Sequence, residues 1–139
     1  MSPTFSSGEK VLSYNIIINP KRGNIVVFDS SKYNSDESFY IKRVVAIEGD
    51  VITYDMATAK FYVNDNLEVG VSVSDFRTMK ESTGNYDDVY SFVVPKNKLL
   101  LFGDNRGNSL DSRVLGVIDK SSIFGIVYYK LIPFGSIKE

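Results

Sequence analysis

The chain has 139 residues and a net charge of −1, and it is 43% hydrophobic and 24% charged, which is typical of one folded domain. It contains no histidine and no cysteine, which excludes a Ser-His-Asp triad, a thiol nucleophile, disulfides and the common zinc sites. The basic residues are scattered along a nearly neutral chain, so we do not expect nucleic acid as a partner. Acid–base chemistry near neutral pH must come from Asp, Glu, Lys or Tyr, and we predict no metal site and no cofactor.

Short apolar runs, rich in β-branched and aromatic residues, recur between turn signals and predict strands. In chain order the predicted strands are Lys10–Ile18, Asn24–Phe28, Phe39–Ile47, Val51–Tyr54, Lys60–Val63, Val89–Val94, Leu99–Phe102 and Ser122–Ile132. The stretch Asn64–Asn66 predicts a tight hairpin turn. No window shows a helical stripe. Because the strands are short and closely spaced, we predict a mainly β fold of coiled antiparallel sheets, or a partly open β-barrel.

A single domain is predicted for residues 1–139. Residues 71–88 are more polar than their surroundings and contain Ser-Thr-Gly-Asn. They predict a peripheral loop or small hairpin excursion rather than a second domain. No apolar run approaches the roughly 20 residues of a transmembrane helix.

Lys42 is a candidate general base within the predicted strand Phe39–Ile47. Successive strand residues point to opposite faces, so Lys42 and Arg43 should diverge. Four apolar residues of the run provide bulk that can exclude water from the lysine: Ile41, Val44, Val45 and Ile47. A desolvated lysine loses its proton more easily, and in a chain without histidine it is the side chain best suited to activate a serine. The alternative is a strand lysine that simply faces water.

A second candidate region is Gly103–Arg113, which reads Gly-Asp-Asn-Arg-Gly-Asn-Ser-Leu-Asp-Ser-Arg. Its turn formers and short polar side chains suit a tight, self-hydrogen-bonded loop. Asp111 and Arg113 could share a face and pair with each other or with Arg43. Ser109 could offer its hydroxyl to a neighbouring lysine. The alternative is a surface loop braced by its own polar side chains.

Four blocks of the chain, in this order, resemble the conserved boxes of type I signal peptidases, the serine-lysine endopeptidases that remove signal peptides from exported proteins. Met1-Ser2-Pro3-Thr4 matches the family's Ser-Met-x-Pro-Thr box after its serine, and the Arg22–Phe28 strand also fits. Lys42–Asp50 is close to Lys-Arg-Val-Ile-Gly-x-Pro-Gly-Asp. Gly103–Arg113 reproduces Gly-Asp-Asn-x-x-x-Ser-x-Asp-Ser-Arg at every fixed position. The last match is highly specific because it spans the whole box.

The resemblance implies a role for each matching residue. Lys42 would be the general base, and Ser109 the hydroxyl that orients its amine. A salt-bridged frame behind the site would consist of Arg43, Asp104, Asp111 and Arg113. Tyr40 and Ile41 would belong to an edge strand on which the substrate docks by β-augmentation. The serine nucleophile would stand immediately before Met1, outside this chain, so the chain as given should be inactive.

The resemblance further implies an extracytoplasmic domain on the outer face of the cytoplasmic membrane, held by an N-terminal anchor that this chain does not contain. Its partners would be the signal peptides of exported preproteins. The absence of a large second lobe is similar to compact Gram-positive members. An alternative is a non-catalytic relative that binds pilin components and assists pilus assembly. The complete last box argues against a self-cleaving repressor-type Ser-Lys protease, and the order of the four boxes argues against an unrelated β-barrel binding module.

Overall fold

The computed structural model describes residues 1–6, 9–14, 19–35, 38–55, 57–58, 60–70 and 89–131. Its two antiparallel sheets confirm the predicted mainly β fold, and neither sheet closes into a barrel within these residues. The elements are β1 (Lys10–Tyr14), β2 (Ile25–Asp29), β3 (Phe39–Ile47), β4 (Val51–Asp55), β5 (Lys60–Val63), β6 (Asn66–Glu68), β7 (Val89–Val93), β8 (Lys98–Phe102), the one-turn helix α1 (Ser112–Leu115), β9 (Ile118–Asp119), a 3-10 turn (Lys120–Ser122) and β10 (Ile123–Leu131). No helix in the described ranges has the length and apolar character needed to span a membrane.

Strands β3 and β8 lie inside the larger sheet and carry apolar side chains on both faces. The larger sheet has the order β1-β10-β2-β3-β8-β9, and the smaller sheet has the order β6-β5-β4-β7. On one face of the larger sheet, side chains of β3 and β8 pack against the smaller sheet. On the other face, they form a second core with side chains of β2, β9 and β10, which belong to the same sheet. A register shift between Val44 and Ala46 lets Val45 and Ala46 join the first core while Val44 joins the second. The strand that carries Lys42 is therefore covered on both faces along its second half.

All eight predicted strands have a counterpart in the structure, and two of them, β3 and β5, have the predicted bounds. The hairpin turn also forms: Asn64 and Asp65 have φ angles of 47° and 64°, as a two-residue turn of type I′ requires. The sequence prediction missed α1, β6 and β9, which have four, three and two residues and are too short to show a periodic pattern. The predicted strand ends at 15–18 and 132, and the excursion at 71–88, lie outside the described residues.

Strand β9 is held in place by its polar residue, Asp119. The Asp119 carboxylate accepts hydrogen bonds from the ammonium groups of Lys32 and Lys98. Its backbone N–H donates to the Tyr33 hydroxyl at 2.6 Å. Bonds from Lys32 and then Lys98 hold the pKa of Asp119 well below its usual range. A two-residue strand is thus stabilised by contacts with groups far away in the sequence.

Candidate active site

Lys42 lies on β3, and its side chain is on the sheet face that carries the second core, together with side chains of β2. The register pairs Lys42 with the fully buried Val26 of β2, and Val44, two residues on, is buried on the same face. The Lys42 side chain is half-buried, and its Nζ lies 5.3 Å from the centroid of the Tyr40 ring. Within the described part of the chain, the ammonium has no hydrogen-bond or ion-pair partner. The lysine thus occupies a setting in which loss of its proton is favoured.

The pKa of Lys42 reflects this setting. Burial removes water from the ammonium and lowers the pKa from its ordinary value of 10.5. The carboxylate of Asp111 acts in the opposite direction, and the guanidinium of Arg113 adds to the lowering. The net shift is downward. Desolvation is therefore the main physical cause of any activation of this amine.

Gly103 and Ser109 lie next to each other, directly after the end of β8. Arg43 pairs with Phe102 of β8, so continuing this antiparallel register by one residue puts Lys42 opposite Gly103. Ser109 folds directly onto Gly103, because a methyl group added at Gly103 would lie 2.0 Å from Ser109 Oγ and 2.6 Å from its Cβ. The register thus directs Lys42 toward the end of β8 where Ser109 packs on Gly103, while the Ser109 hydroxyl makes no hydrogen bond to Lys42 or to another group among the described residues.

The Ser109 hydroxyl itself is buried. It lies near enough to Asp111 to help lower the pKa of that carboxyl. However, no group in the described part of the chain stands in good hydrogen-bond geometry with Oγ. Buried hydroxyls are normally paired, so this oxygen remains available to accept or donate one hydrogen bond.

Behind the site, Asp111 and Arg113 form a buried ion pair. The two side chains are 0% and 3% exposed, and Arg113 grips the carboxylate with two bonds of 2.8 Å, from Nε to Oδ1 and from Nη2 to Oδ2. Asp111 also caps helix α1 and accepts from the N–H of Gly103 at 2.8 Å. The sequence left open whether Asp111 and Arg113 pair with each other or with Arg43. In the structure, Asp111 pairs with Arg113. The pairing occurs at a helix N-cap rather than along an extended stretch.

Arg43 points to the opposite face from Lys42 and pairs with Asp104. Its guanidinium donates from Nε to Oδ1 and from Nη2 to Oδ2 of Asp104, both at 2.8 Å, and from Nη1 to the carbonyl of Gly23 at 3.0 Å. The bond from Arg43 holds the pKa of Asp104 below its usual value, outweighing the effect of burial. The four frame residues therefore form two separate ion pairs, Arg43 with Asp104 and Arg113 with Asp111.

The first half of β3 has an open edge at Ile41. Val44 donates its N–H to the Asn24 carbonyl on the β2 side at 2.8 Å. Because antiparallel strands alternate the direction of their backbone groups, Lys42 and Tyr40 also face β2, and Ile41 faces away from it. Strand β8 pairs with β3 only from Arg43 onward, so no described strand covers Ile41 on that side. The Tyr40 ring instead packs inward, edge-on against Phe28 with 6.0 Å between centroids.

The sequence prediction missed two contributors to the site. Thr4 donates its hydroxyl to Asp104 Oδ2, and the Asp104 N–H points at Met1 Sδ, 3.4 Å away. The requirement for glycine at position 103 was also missed, because it comes from the close approach of Ser109. Thr4 and Gly103 both stand inside the blocks that carry the family resemblance, and this resemblance was the signal by which they could have been found. The described residues contain no group of three or more metal-ligating side chains able to hold an ion.

Gly103→Ala should disrupt the site, because the new methyl would overlap Ser109 at 2.0 Å. We expect a loss of about 1–3 kcal/mol in the free energy of unfolding, the usual penalty of overpacking, measured by urea denaturation. Gly107→Ala is the matched control, since a methyl there meets nothing within 4 Å. The double variant Gly103→Ala/Ser109→Gly should recover most of the loss. If Gly103→Ala is as stable as the parent, the close packing of Ser109 on Gly103 is wrong.

A half-buried lysine that has no ion-pair partner among the described residues, together with a buried serine hydroxyl, suits a lysine-activated hydrolase. Comparison with known proteins agrees with this class. Residues 1–132 match the family described as signal peptidase, peptidase S26. The chain belongs to this signal peptidase family.

Curated relatives match along the whole chain. Signal peptidase IB of Staphylococcus aureus strain Mu50 is 35% identical over 155 aligned positions, which cover 100% of this chain and 76% of that protein. Signal peptidase I of Bacillus licheniformis is 32% identical over 148 positions, covering 100% of this chain and 75% of the relative. Among solved structures, a signal peptidase I from Enterococcus faecalis V583 has a TM-score of 0.54 at 22% identity, covering 81% of this chain and 99% of that one. At this identity the structural match supports the fold.

Proposed function

We propose that this chain is the catalytic domain of a membrane-anchored serine-lysine signal peptidase that cleaves signal peptides from exported proteins. The observation that carries the proposal is Lys42, which is half-buried, has no ion-pair partner in the described residues and has a lowered pKa. An amine in this state can act as a general base where no histidine exists. Membership of the signal peptidase family supports the substrate class.

In the proposed reaction, the nucleophile is a serine immediately before Met1. Neutral Lys42 takes the proton of the serine hydroxyl while the serine oxygen attacks the scissile carbonyl. The tetrahedral intermediate collapses to an acyl-enzyme, and the Lys42 ammonium returns its proton to the leaving amine. A water molecule, deprotonated by Lys42, then releases the signal peptide as a free carboxylate. Ser109 holds the Lys42 amine in line for these transfers.

The contacts of Met1 agree with this position for the nucleophile. Met1 Sδ receives the N–H of Asp104, the residue that follows Gly103. Gly103 falls opposite Lys42 when the register of β3 and β8 is continued by one residue. The contact of Met1 with Asp104 therefore supports a nucleophile immediately before Met1.

The open edge of β3 offers a place for the substrate. An extended peptide can add to the unpaired backbone groups of Ile41 and run past Lys42, which gives affinity through main-chain bonds. Ile41 itself would line the substrate path. Tyr40, whose ring lies under the Lys42 amine, would act on the lysine more than on the peptide. Both residues remain predicted substrate-binding positions.

The test is a cleavage assay with the natural protein, including the residues that precede Met1, in vesicles that contain an exported precursor. We expect cleavage after small side chains, detected by the new N-terminus of the product. Replacing the residue before Met1 by alanine should abolish cleavage, and residues 1–139 alone should be inactive. If the natural protein has a serine there and cleaves no precursor, the enzymatic proposal is wrong. Binding of pilin components without cleavage would then favour the assembly role.

A further inference from the structure

The N-terminal segment is attached to the body of the domain through Asp104. Thr4 donates its hydroxyl to Asp104 Oδ2, and Met1 Sδ receives the Asp104 N–H. Within the segment, the Phe5 N–H bonds to the Met1 carbonyl at 3.1 Å. Two side chains of one turn therefore meet a single residue about 100 positions away. The Phe5–Met1 hydrogen bond stabilises the turn internally, and the contacts with Asp104 attach the turn to the rest of the domain.

Asp104 is itself immobilised by the strand that carries the candidate base. Arg43 grips both carboxylate oxygens at 2.8 Å, and the Asp104 side chain is only 11% exposed. The bond from Arg43 lowers the pKa of Asp104, so the carboxylate stays ionised and the Thr4 hydroxyl must be the donor. A hydrogen bond to an ionised acceptor is stronger and shorter than a neutral one.

These contacts connect the N-terminal turn, which follows the proposed nucleophile, with the strand that carries the candidate base. Arg43 is the neighbour of Lys42 on β3, and Thr4 lies four positions after the proposed nucleophile. We propose that Thr4 is a positioning residue that, through Asp104 and Arg43, sets the distance between the nucleophile and Lys42. This assignment rests on the proposed function, since it assumes a serine before Met1. Proton transfer depends steeply on distance, so a small displacement of the N-terminal turn lowers turnover without altering the substrate edge.

The catalytic test compares Thr4→Val, which keeps the shape and removes the hydroxyl, with Thr4→Ser, which keeps the hydroxyl. In the natural membrane-anchored protein we expect Thr4→Val to lower kcat about 10- to 100-fold with KM within twofold of the parent. Thr4→Ser should recover most of the activity. The control is Thr58→Val, which removes a comparable bond of 2.6 Å from Thr58 Oγ1 to Asp55 Oδ2 far from the site. A role in stability alone would lower the melting temperature and leave kcat unchanged, which would overturn the proposal.

A second measurement does not depend on activity. In residues 1–139, hydrogen exchange at the Asp104 N–H should be about tenfold faster in Thr4→Val than in the parent, the size expected for loss of one charge-assisted bond. Thr4→Ser should stay near the parent. Unchanged exchange in Thr4→Val would show that Thr4 does not hold the turn. An inactive natural protein with the expected exchange pattern would refute the proposed function and the kinetic role, but not the attachment of the turn.

Discussion

Lys42→Ala in the natural, membrane-anchored protein should lower kcat/KM for precursor cleavage by roughly 10³-fold or more. A general base contributes about 10²–10⁴-fold, and without it the serine keeps its proton. Lys42→Arg should fail as well, because a guanidinium remains protonated at any usable pH. Ser109→Ala should be milder, about fivefold, since the orienting hydrogen bond proposed for this hydroxyl, which has no partner among the described residues, is of about 1 kcal/mol. The measurement is steady-state cleavage of a purified precursor in vesicles.

The pH dependence gives an independent check on the same residue. A lysine base works only when neutral, so activity should rise as the pH rises through the pKa of Lys42. Because burial lowers that pKa, the rise should occur below the ordinary value of 10.5. Lys42→Met, which keeps an apolar stem of similar length, controls for loss of packing. Full activity in Lys42→Ala would contradict the proposed mechanism. An activity-against-pH profile that stays the same after Lys42 is replaced would contradict it as well.

Asp111→Asn should lower the free energy of unfolding by about 3–5 kcal/mol, because it leaves the charge of Arg113 buried without its partner. The Arg113 side chain is only 3% exposed, so water cannot compensate. The measurement is urea denaturation at neutral pH. Glu68→Gln is the control: it breaks the bond of 2.6 Å to Arg106 at a more exposed place and should change stability by less than about 1 kcal/mol.

The same carboxylate should make stability depend on acid pH. Burial raises the pKa of Asp111, but the bonds from Arg113 and from the Gly103 N–H outweigh it, and the net shift is downward. The stabilisation is therefore complete above the unfolded-state value near 3.8 and is lost as the pH falls through the lower folded-state pKa. Asp111→Asn should show less of this acid sensitivity. A loss below about 1 kcal/mol for Asp111→Asn would mean that the ion pair is not essential to the fold.

The sequence alone was sufficient for the fold class and for most strands. The run Phe39–Ile47 forms β3 with the predicted bounds, because six of its nine residues are aromatic or β-branched and favour a strand. The divergence of Lys42 and Arg43 follows directly from the alternation of a strand. The turn at Asn64–Asp65 was likewise predictable, since its positive φ angles suit those residue types. The family resemblance by itself pointed to the candidate site residues.

Which side chains form ion pairs and hydrogen bonds with one another was decided only by the tertiary structure. Asp111 could have met Arg43 or Arg113, and nothing local distinguishes the two partners. The bond from Thr4 to Asp104 and the packing of Ser109 on Gly103 depend on which strands lie side by side. Propensity and periodicity act over a few neighbouring residues, so they determine strands and turns. Partner choice depends on register and burial across many positions, and therefore only the folded chain determines it.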